Sequence, residues 1–429
     1  MWRLEGRIRP YAWGSRTGIA ALQGRPAPSP GPEAELWLGA HPDDPSLLVR
    51  EGDTTLGAPR GGDTTLGAHR EGDTTLLAAI EADPEGMLGA GTVKRFGPRL
   101  PYLLKLLAAE APLSLQAHPD LAQARAGYAA EQAARVPLSA PVRNYSDPNH
   151  KPELLVAVGE FVALCGFRPV AGAAALLDGL RLPVLSATVD RLAAGELRTA
   201  VTGLYRLDAA SRAELVAGVA AGSAQRATTA PEYAEAAALA ARYPGDVGVV
   251  VSFLLNRVVL APGEAIFMPA GNPHAYLRGV GVEVMASSDN VLRGGLTSKH
   301  VDVPELLRVL RFTELDEPRV AARPVAEPLA RPVAEPPPVA RPVAEGVVWW
   351  PVPVPDFRLL HARLTGGEVT LPVPGDPSPR IVFCLTGEVR LAGAAGELTL
   401  TAGQAGFAPP TTEPVVLSGT GEVFQATTA

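Results

Sequence analysis

Hydrophobic and polar positions alternate along much of the chain, in short runs that end at glycine or proline. Such runs include "AELWLGAHP", "LPYLLKLLAA", "PLSLQAHP" and "KPELLVAVG", and "NRVVLAPGEAIFMPAGNPHAYLRG" follows later. Further runs, such as "RIVFCLTGEVRLAG" and "EPVVLSGTGEVFQATT", occupy the C-terminal part. Short strands with regular turn signals are typical of a sandwich or barrel. The pattern therefore predicts a mainly β protein.

The pattern changes between about Val170 and Gly245, where alanine and leucine recur at helical spacing. Asp208 is a suitable N-cap for the segment that begins "AASRAELVAGVAA", and Pro231 stands at a first helical turn. These signals predict a helical domain inserted into the first β-domain.

Two low-complexity segments interrupt this order. The decapeptides "EGDTTLGAPR", "GGDTTLGAHR" and "EGDTTLLAAI" fill residues 51–80, where we expect a surface loop, because loops accept insertions at a small entropic cost. The pentapeptide "RPVAE" recurs in a proline-rich tract, which favours an extended linker. The predicted domains are a catalytic β-domain in two parts, 1–166 and 247–317, a helical insert at 167–246, a linker at 318–345 and a C-terminal β-domain at 346–429.

Polar side chains share one face of the segment "PLSLQAHP". Strand residues alternate between faces, so Ser114, Gln116 and His118 point the same way, either to water or to a ligand. Glu153 enters an apolar strand, where an unpaired carboxylate would be costly, and His274 follows a glycine and proline turn pattern. Spacing alone leaves two interpretations open, a metal site and separate structural polar groups.

Composition narrows the class of protein. Charged residues make up 19% of the 429 residues and hydrophobic residues 47%, which is typical of globular chains. The formal net charge of −7 argues against non-specific nucleic-acid binding. Two cysteines, Cys165 and Cys384, indicate no disulfide framework, and there is no signal segment or bilayer-length apolar run. We expect a cytoplasmic protein without a membrane partner.

Lysine is rare among the 38 basic residues: Lys94, Lys105, Lys151 and Lys299 are the lysines, and arginine supplies the rest. Arginine and lysine are not interchangeable at a specific site. The retained lysines therefore mark positions that need a compact ammonium, or they are remnants of drift.

The segments around these residues resemble a known family. The pattern that ends at His274 and the region from Gln116 to Glu153 resemble the two signatures of cupins, which are small jelly-roll barrels. In order along the chain, "YAWGS", "LSLQAHPD", "NHKPELLVAV" and "MPAGNPHAYLRGVGVEVMASSDNVLRGGLTSKHVDV" resemble the type I mannose-6-phosphate isomerases (phosphomannose isomerases). The resemblance implies a cupin catalytic domain, an inserted α-helical domain and a C-terminal cupin-like β-domain.

The resemblance also implies one Zn²⁺ per chain. The metal ligands that it implies are Gln116, His118, Glu153 and His274. Arg293, in "SDNVLRGGLT", matches the arginine proposed to be catalytic in the family. Lys105, Lys151 and Lys299 match lysines of the family motifs, which favours a functional interpretation of lysine retention.

The implied reaction interconverts mannose 6-phosphate and fructose 6-phosphate, as an intramolecular oxidoreductase, and feeds mannose metabolism and GDP-mannose supply. A proton leaves C2 of the open-chain aldose and returns at C1 through a cis-enediol. The base is Glu283, Lys151 or a zinc-bound water, and the sequence does not choose among them. The residues expected to contact the substrate are Ser114, Lys105, Tyr276, Asp289 and Lys299.

Two other classes of protein fit less well. Another cupin enzyme, such as a dioxygenase, predicts iron and oxygen consumption, but Gln116 and the motif "SDNVLRGGLTSKH" argue against it. A sugar-binding protein without catalytic activity would have lost a metal ligand or Arg293, and this sequence has lost none of them. We expect a small sugar phosphate as the partner, no nucleic acid, and a monomer.

Overall fold

The computed structural model describes residues 1–49, 74–325, 346–372 and 376–429. The chain divides into two compact units. The first comprises residues 1–108, 282–287 and 321–429, and the second comprises residues 109–281 and 288–320. None of the described helices is long and apolar enough to cross a membrane.

Strands joined by short helices form the N-terminal part. Its strands are β1 (Trp2–Glu5), β2 (Arg7–Arg9), β3 (Glu35–Leu38), β4 (Leu47–Val49), β5 (Thr74–Thr75), β6 (Tyr102–Ala109), β7 (Leu115–Ala117), β8 (Glu153–Ala157) and β9 (Phe161–Phe167). Its helices are α1 (Gly18–Leu22), α2 (Leu76–Ala82), α3 (Pro84–Leu88), α4 (Ala90–Phe96) and α5 (Leu121–Ala133).

Helices follow without a strand between them over residues 170–254. They are α6 (Val170–Gly179), α7 (Ser186–Ala193), α8 (Leu197–Tyr205), α9 (Ala209–Gln225), α10 (Pro231–Arg242) and α11 (Gly248–Val251), with 3₁₀ turns at Pro183–Leu185 and Ser252–Leu254. The Asp208 carboxylate accepts from the backbone N–H groups of Ala210 and Ser211, and Pro231 opens α10, so both predicted start signals are confirmed.

The chain then returns to strands. They are β10 (Leu255–Leu260), β11 (Ala265–Met268), β12 (His274–Ala286) and β13 (Leu292–Gly295), before helix α12 (Val303–Val309) and the short strands β14 (Arg319–Val320) and β15 (Arg323–Pro324). The C-terminal strands are β16 (Val347–Trp349), β17 (Arg358–Leu371), β18 (Arg380–Gly393), β19 (Gly396–Thr401), β20 (Ala405–Ala408) and β21 (Val415–Thr427).

Antiparallel pairs organise the second unit. Strand β11 pairs with β8 and β14, β9 pairs with β10 and β12, and β7 pairs with β12 and β13. Apolar faces of the helices, including Leu177, Leu204 and Leu239, share one hydrophobic core with strand residues such as Leu115 and Leu164. The helical region therefore buries its apolar face against these strands, which fixes the strand ends in place.

The first unit contains two groups of antiparallel strands. Strand β3 pairs with β2 and β6, whereas β21 lies between β17 and β18, and β18 also pairs with β19 and β20. Alternate residues of the C-terminal strands, among them Leu360, Val382 and Val423, form a buried core. The predicted fold class, mainly β with a helical region, is confirmed.

Both low-complexity segments differ from expectation where the structure describes them. The last repeat copy, expected to be loop, forms β5 and the start of α2. Thr75 caps this helix by accepting from the N–H of Ala78, and Leu76 and Ile80 are fully buried one turn apart. Residues 319–324 of the expected linker contribute β14 and β15. The other residues of both segments lie outside the described residues.

Candidate metal centre

Three neighbouring strands bring four of the predicted site residues together in the second unit. Gln116 of β7 is in register with His274 of β12 on one side and with Arg293 of β13 on the other. Residues directly opposite each other in an antiparallel pair point to the same face. His274, Gln116 and Arg293 therefore form one row, and His118 follows directly after β7.

Glu153, the first residue of β8, stands between the two imidazoles. Its Oε1 lies 3.3 Å from His118 Nε2, and its Oε2 lies 3.3 Å from His274 Nε2. The Gln116 amide nitrogen lies 3.4 Å from His274 Nε2. Each of His118, Glu153 and His274 offers a ligand atom, these atoms lie within 4.8 Å of one another, and all three residues are buried.

The opposite ring nitrogen of each imidazole faces a backbone carbonyl. His118 Nδ1 lies 2.7 Å from the carbonyl oxygen of Asn290, and His274 Nδ1 lies 3.0 Å from that of Asn272. A carbonyl oxygen only accepts, so in each ring Nδ1 carries the proton and donates. In a neutral ring Nε2 then keeps a free lone pair, and in both residues Nε2 faces the carboxylate of Glu153.

Electrostatics fixes the charge of this group. Burial lowers the pKa of His118 to about 4, so the ring is neutral near pH 7. Burial opposes ionisation of Glu153, but the nearby Lys151 ammonium favours it, and the pKa of its carboxyl lies well below the ordinary range. The Lys151 Nζ lies 3.2 Å from Glu153 Oε1. An ionised carboxylate therefore faces the lone pair of the neutral His118 ring.

This arrangement fits a divalent cation. Within the described part of the chain, His118 Nε2 and Glu153 Oε2 are buried and form no hydrogen bond. Lone pairs that face each other repel, and a cation between them would satisfy both. Two imidazole nitrogens, one carboxylate and an amide are a donor set that suits Zn²⁺. Rotation of the Gln116 amide by half a turn would direct its oxygen, which can accept a metal, to the place that its nitrogen holds.

Asn290 supports the centre, although the sequence did not single it out. Besides its carbonyl, its side-chain oxygen accepts from the N–H groups of Ser146 and Asp147, at 2.8 and 3.3 Å. Its amide nitrogen donates to the carbonyls of Asp147 and Asn149, at 2.7 and 2.8 Å. Asn290 thus links the His118 ring to the loop that leads to Lys151. This role depends on burial and on backbone contacts, so the sequence offered no signal for it.

Other predicted site residues of this unit lie on the same strands or within a few residues of their ends. Arg293 is half-buried, and burial lowers its pKa. Burial and the charge of Arg293 lower the pKa of Lys299, so these two cations are close enough to repel. The Tyr276 ring is buried, and its centroid lies 6.1 Å from that of His274. Ser114 is half-buried directly before β7.

Asp289 directly precedes Asn290 and contacts the same loop. Its backbone N–H donates to the carboxylate of Asp147 at 2.9 Å, and the same carboxylate accepts from the Ser288 hydroxyl. The expected role of Asp289, contact with the substrate or positioning of Arg293, stays a prediction.

Lys105 and Glu283 belong to the first unit, where they form a buried ion cluster. The Lys105 ammonium lies 3.5 Å from Glu283 and 3.6 Å from Glu35. Glu35 also accepts from the Trp37 indole N–H at 2.6 Å. The ammonium lies 5.2 Å from the Trp37 ring centroid, within cation–π range. Two carboxylates and an aromatic face hold this lysine in one place.

Comparison with known proteins identifies the family. The family model for the catalytic domain of phosphomannose isomerase type I matches residues 1–170. The mannose-6-phosphate isomerase of Escherichia coli (strain K12) is 34% identical over 99% of this chain and 98% of its own length. This chain belongs to the mannose-6-phosphate isomerase family. The predicted membership is confirmed.

Solved structures of family members share the fold. A phosphomannose isomerase from Salmonella typhimurium, 33% identical, matches with a TM-score of 0.84 over 100% of this chain and 99% of that one. A mannose 6-phosphate isomerase structure described as holo and zinc bound matches with a TM-score of 0.82, also at 33% identity and the same coverage. The cupin fold class is confirmed, and zinc is bound in that relative.

The Salmonella typhimurium protein has been solved as single alanine mutants, one of which is the structure compared above. The substituted residues are, in chain order, a lysine, a histidine, a lysine, a glutamate, a second glutamate and an arginine. The same residue types follow at the same intervals in this chain, at Lys105, His118, Lys151, Glu153, Glu283 and Arg293.

Proposed function

We propose that the chain is a zinc-dependent aldose–ketose isomerase that interconverts mannose 6-phosphate and fructose 6-phosphate. The observation that carries the proposal is the buried set of His118, Glu153 and His274, in which both Nδ1 atoms are committed to carbonyls and both Nε2 atoms face the carboxylate. Family membership supports it, since the match to relatives named mannose-6-phosphate isomerase extends over almost their full length.

Gln116, His118, Glu153 and His274 would hold the zinc ion. Two neutral imidazoles, a neutral amide and one carboxylate leave a divalent ion with a net positive charge of about one. When bound, zinc would supply Lewis acidity beside the oxygen that becomes negative during the reaction. Lys151, in contact with Glu153, keeps that carboxylate ionised and therefore ready to bind a metal.

The reaction moves a proton from C2 of the open-chain aldose to C1, through a cis-enediol with negative charge on oxygen. Arg293, beside Gln116 in the register, would orient the substrate, assist proton transfer or stabilise this charge. Glu283 and Lys151 are the chain's candidates for the base, and a zinc-bound water is the third. The intervals that these residues share with the mutated positions of the Salmonella typhimurium protein support an assignment to the catalytic centre.

Cationic and hydroxyl groups would bind the phosphate of the substrate. Our candidates are Ser114, Lys105, Lys151, Arg293 and Lys299, with Tyr276 and Asp289 as further substrate contacts. Arg293 and Lys299 carry charges that repel each other, so an anion close to both would be stabilised. Supply of GDP-mannose, a cytoplasmic location, a monomeric state and the predicted domain boundaries stay predictions.

A coupled assay tests the proposal directly. Purified protein should contain about one zinc per chain, as a single four-ligand site implies, and should form fructose 6-phosphate from mannose 6-phosphate. Chelation should abolish turnover, and zinc, added back, should restore it. No turnover by protein with full zinc occupancy would refute the isomerase, and iron with oxygen consumption would favour a dioxygenase.

A further inference from the structure

The buried core of the C-terminal strands ends in polar side chains. Along β21, Val423 belongs to this core, and Gln425 and Thr427 follow at alternate positions, which share its face. Both are buried, with Gln425 1% exposed and Thr427 fully covered. Polar residues that continue an apolar core face need partners there.

Two arginines stand beside Thr427 in register. Thr427 pairs with Arg358 of β17 on one side and with Arg380 of β18 on the other. The three side chains therefore lie on one face as a row, next to Gln425. We call Arg358, Arg380, Gln425 and Thr427 the arginine row.

The side chains of the arginine row lack hydrogen-bond partners at five buried atoms. Among the residues that the structure describes, Arg358 Nε, Arg380 Nε, Thr427 Oγ1 and both amide atoms of Gln425 form no hydrogen bond. Orphaned side-chain atoms are rare in native proteins, so a group of five on one sheet face indicates a missing partner.

The charge of the arginine row indicates that the missing partner is negatively charged. In the described ranges, neither guanidinium has a carboxylate within ion-pair distance, and no carboxylate contributes to the electrostatics of either. Arg380 is 1% exposed, and its Nη atoms reach only the Glu413 backbone carbonyl, at 3.4 and 3.5 Å. Arg358 lies against the Trp349 ring, 5.2 Å from its centroid. A guanidinium keeps its charge even when buried, so the buried Arg380 and the half-buried Arg358 leave two positive charges without an anion.

We propose that the arginine row is an anion-binding site that takes an oxyanion of the size of phosphate. Guanidinium groups donate two parallel hydrogen bonds to such an oxyanion, and the Thr427 hydroxyl and the Gln425 amide add further donors. Chloride would balance the positive charge, but a single spherical ion would not match several donors spread along the row. The row contains none of the proposed metal ligands or substrate contacts, and it adds a second ligand site to the chain.

Thermal unfolding of the full chain with inorganic phosphate tests the site. In sodium phosphate, compared with sodium chloride of equal ionic strength, the unfolding midpoint of the wild type should rise saturably by about 3 °C or more. In Arg380→Met and Arg358→Met most of this rise should be lost. Titration calorimetry should show an affinity for phosphate that is at least about tenfold weaker in each variant, because a charge-assisted hydrogen bond is removed.

Arg390→Met is the matched control. Arg390 lies on the same strand, β18, is half exposed and pairs with Glu397, so this variant should keep the phosphate-dependent rise. Phosphate bound at the proposed catalytic centre would act equally on all variants, and the difference between variants reports the arginine row alone. An equal rise in wild type and in Arg358→Met, or an equal effect of chloride, would overturn the proposal. Should Arg380→Met fail to fold, Arg358→Met and Gln425→Met still decide it.

Discussion

Two glutamines, Gln116 and Gln425, occupy comparable places in the two units. Each lies on a strand between two paired neighbours. Gln116 is in register with His274 and Arg293, whereas Gln425 is in register with Leu360 and Val382 and lies one alternate position before Thr427, which the two arginines flank. Around Gln116 the orphaned atoms, His118 Nε2 and Glu153 Oε2, are acceptors, and they require a cation. Near Gln425 they include the guanidinium nitrogens of two arginines, which are donors and require an anion. The donor or acceptor character of orphaned atoms therefore predicts the charge of a missing ligand better than the strand framework does.

The strongest test of this contrast removes one acceptor from the metal centre. His274→Ala should lose zinc and lower kcat/KM by about 10³-fold or more, since a catalytic metal supplies several kcal/mol of transition-state stabilisation. Elemental analysis of the purified variant, with the coupled assay, measures both effects. The phosphate-dependent rise in unfolding midpoint assigned to the arginine row should be unaffected.

His300→Ala is the control for that experiment. His300 is exposed, and replacing it should leave zinc content and turnover unchanged. Full zinc occupancy in His274→Ala would contradict the ligand assignment, whatever its activity.

Much of the metal centre was predictable because its signal is local. Alternation placed Gln116 and His118 on one face, and a carboxylate entering an apolar strand marked Glu153. The distance of 158 residues between Gln116 and His274 needed the family resemblance, because only the tertiary pairing of β7 and β12 brings them together.

The remaining features left little trace in the sequence. Asn290 fixes the tautomer of His118 through its backbone carbonyl, which every residue type has, so composition carries no sign of it. Arg358 and Arg380 are two among many arginines, and only the register of β17, β18 and β21 shows that they flank one residue. The helix α2 follows from the third repeat copy, whose leucine and isoleucine depart from the first two copies.

Asn290→Ala should have an intermediate effect, because it leaves every ligand in place but releases the loop that leads to Lys151 and Glu153. We expect zinc affinity to fall about 10- to 100-fold, as is usual when groups behind metal ligands are removed. Competition with a chelator measures the affinity, and excess zinc should restore turnover.

Asn144→Ala serves as the comparison for Asn290→Ala. The Asn144 amide pairs with the Asp302 carboxylate at 2.8 Å and forms no described bond to the loop of residues 146–150. Its replacement should leave zinc affinity unchanged. If Asn290→Ala lowers the unfolding midpoint but binds zinc as tightly as the wild type, Asn290 has only a structural role.

The smallest effect is expected at Gln425, and it sharpens the contrast with Gln116. Gln425→Met removes two buried atoms that lack hydrogen bonds and keeps the side-chain volume, so in phosphate-free buffer the free energy of unfolding should stay within about 1 kcal/mol of the wild type or rise. Gln116→Met, the same change at the candidate metal centre, should instead weaken zinc binding, because it deletes a proposed ligand. Denaturant titration with and without phosphate measures the first effect. A large loss of stability for Gln425→Met without phosphate would mean that its amide already has partners, and Gln425 would then not belong to the anion site.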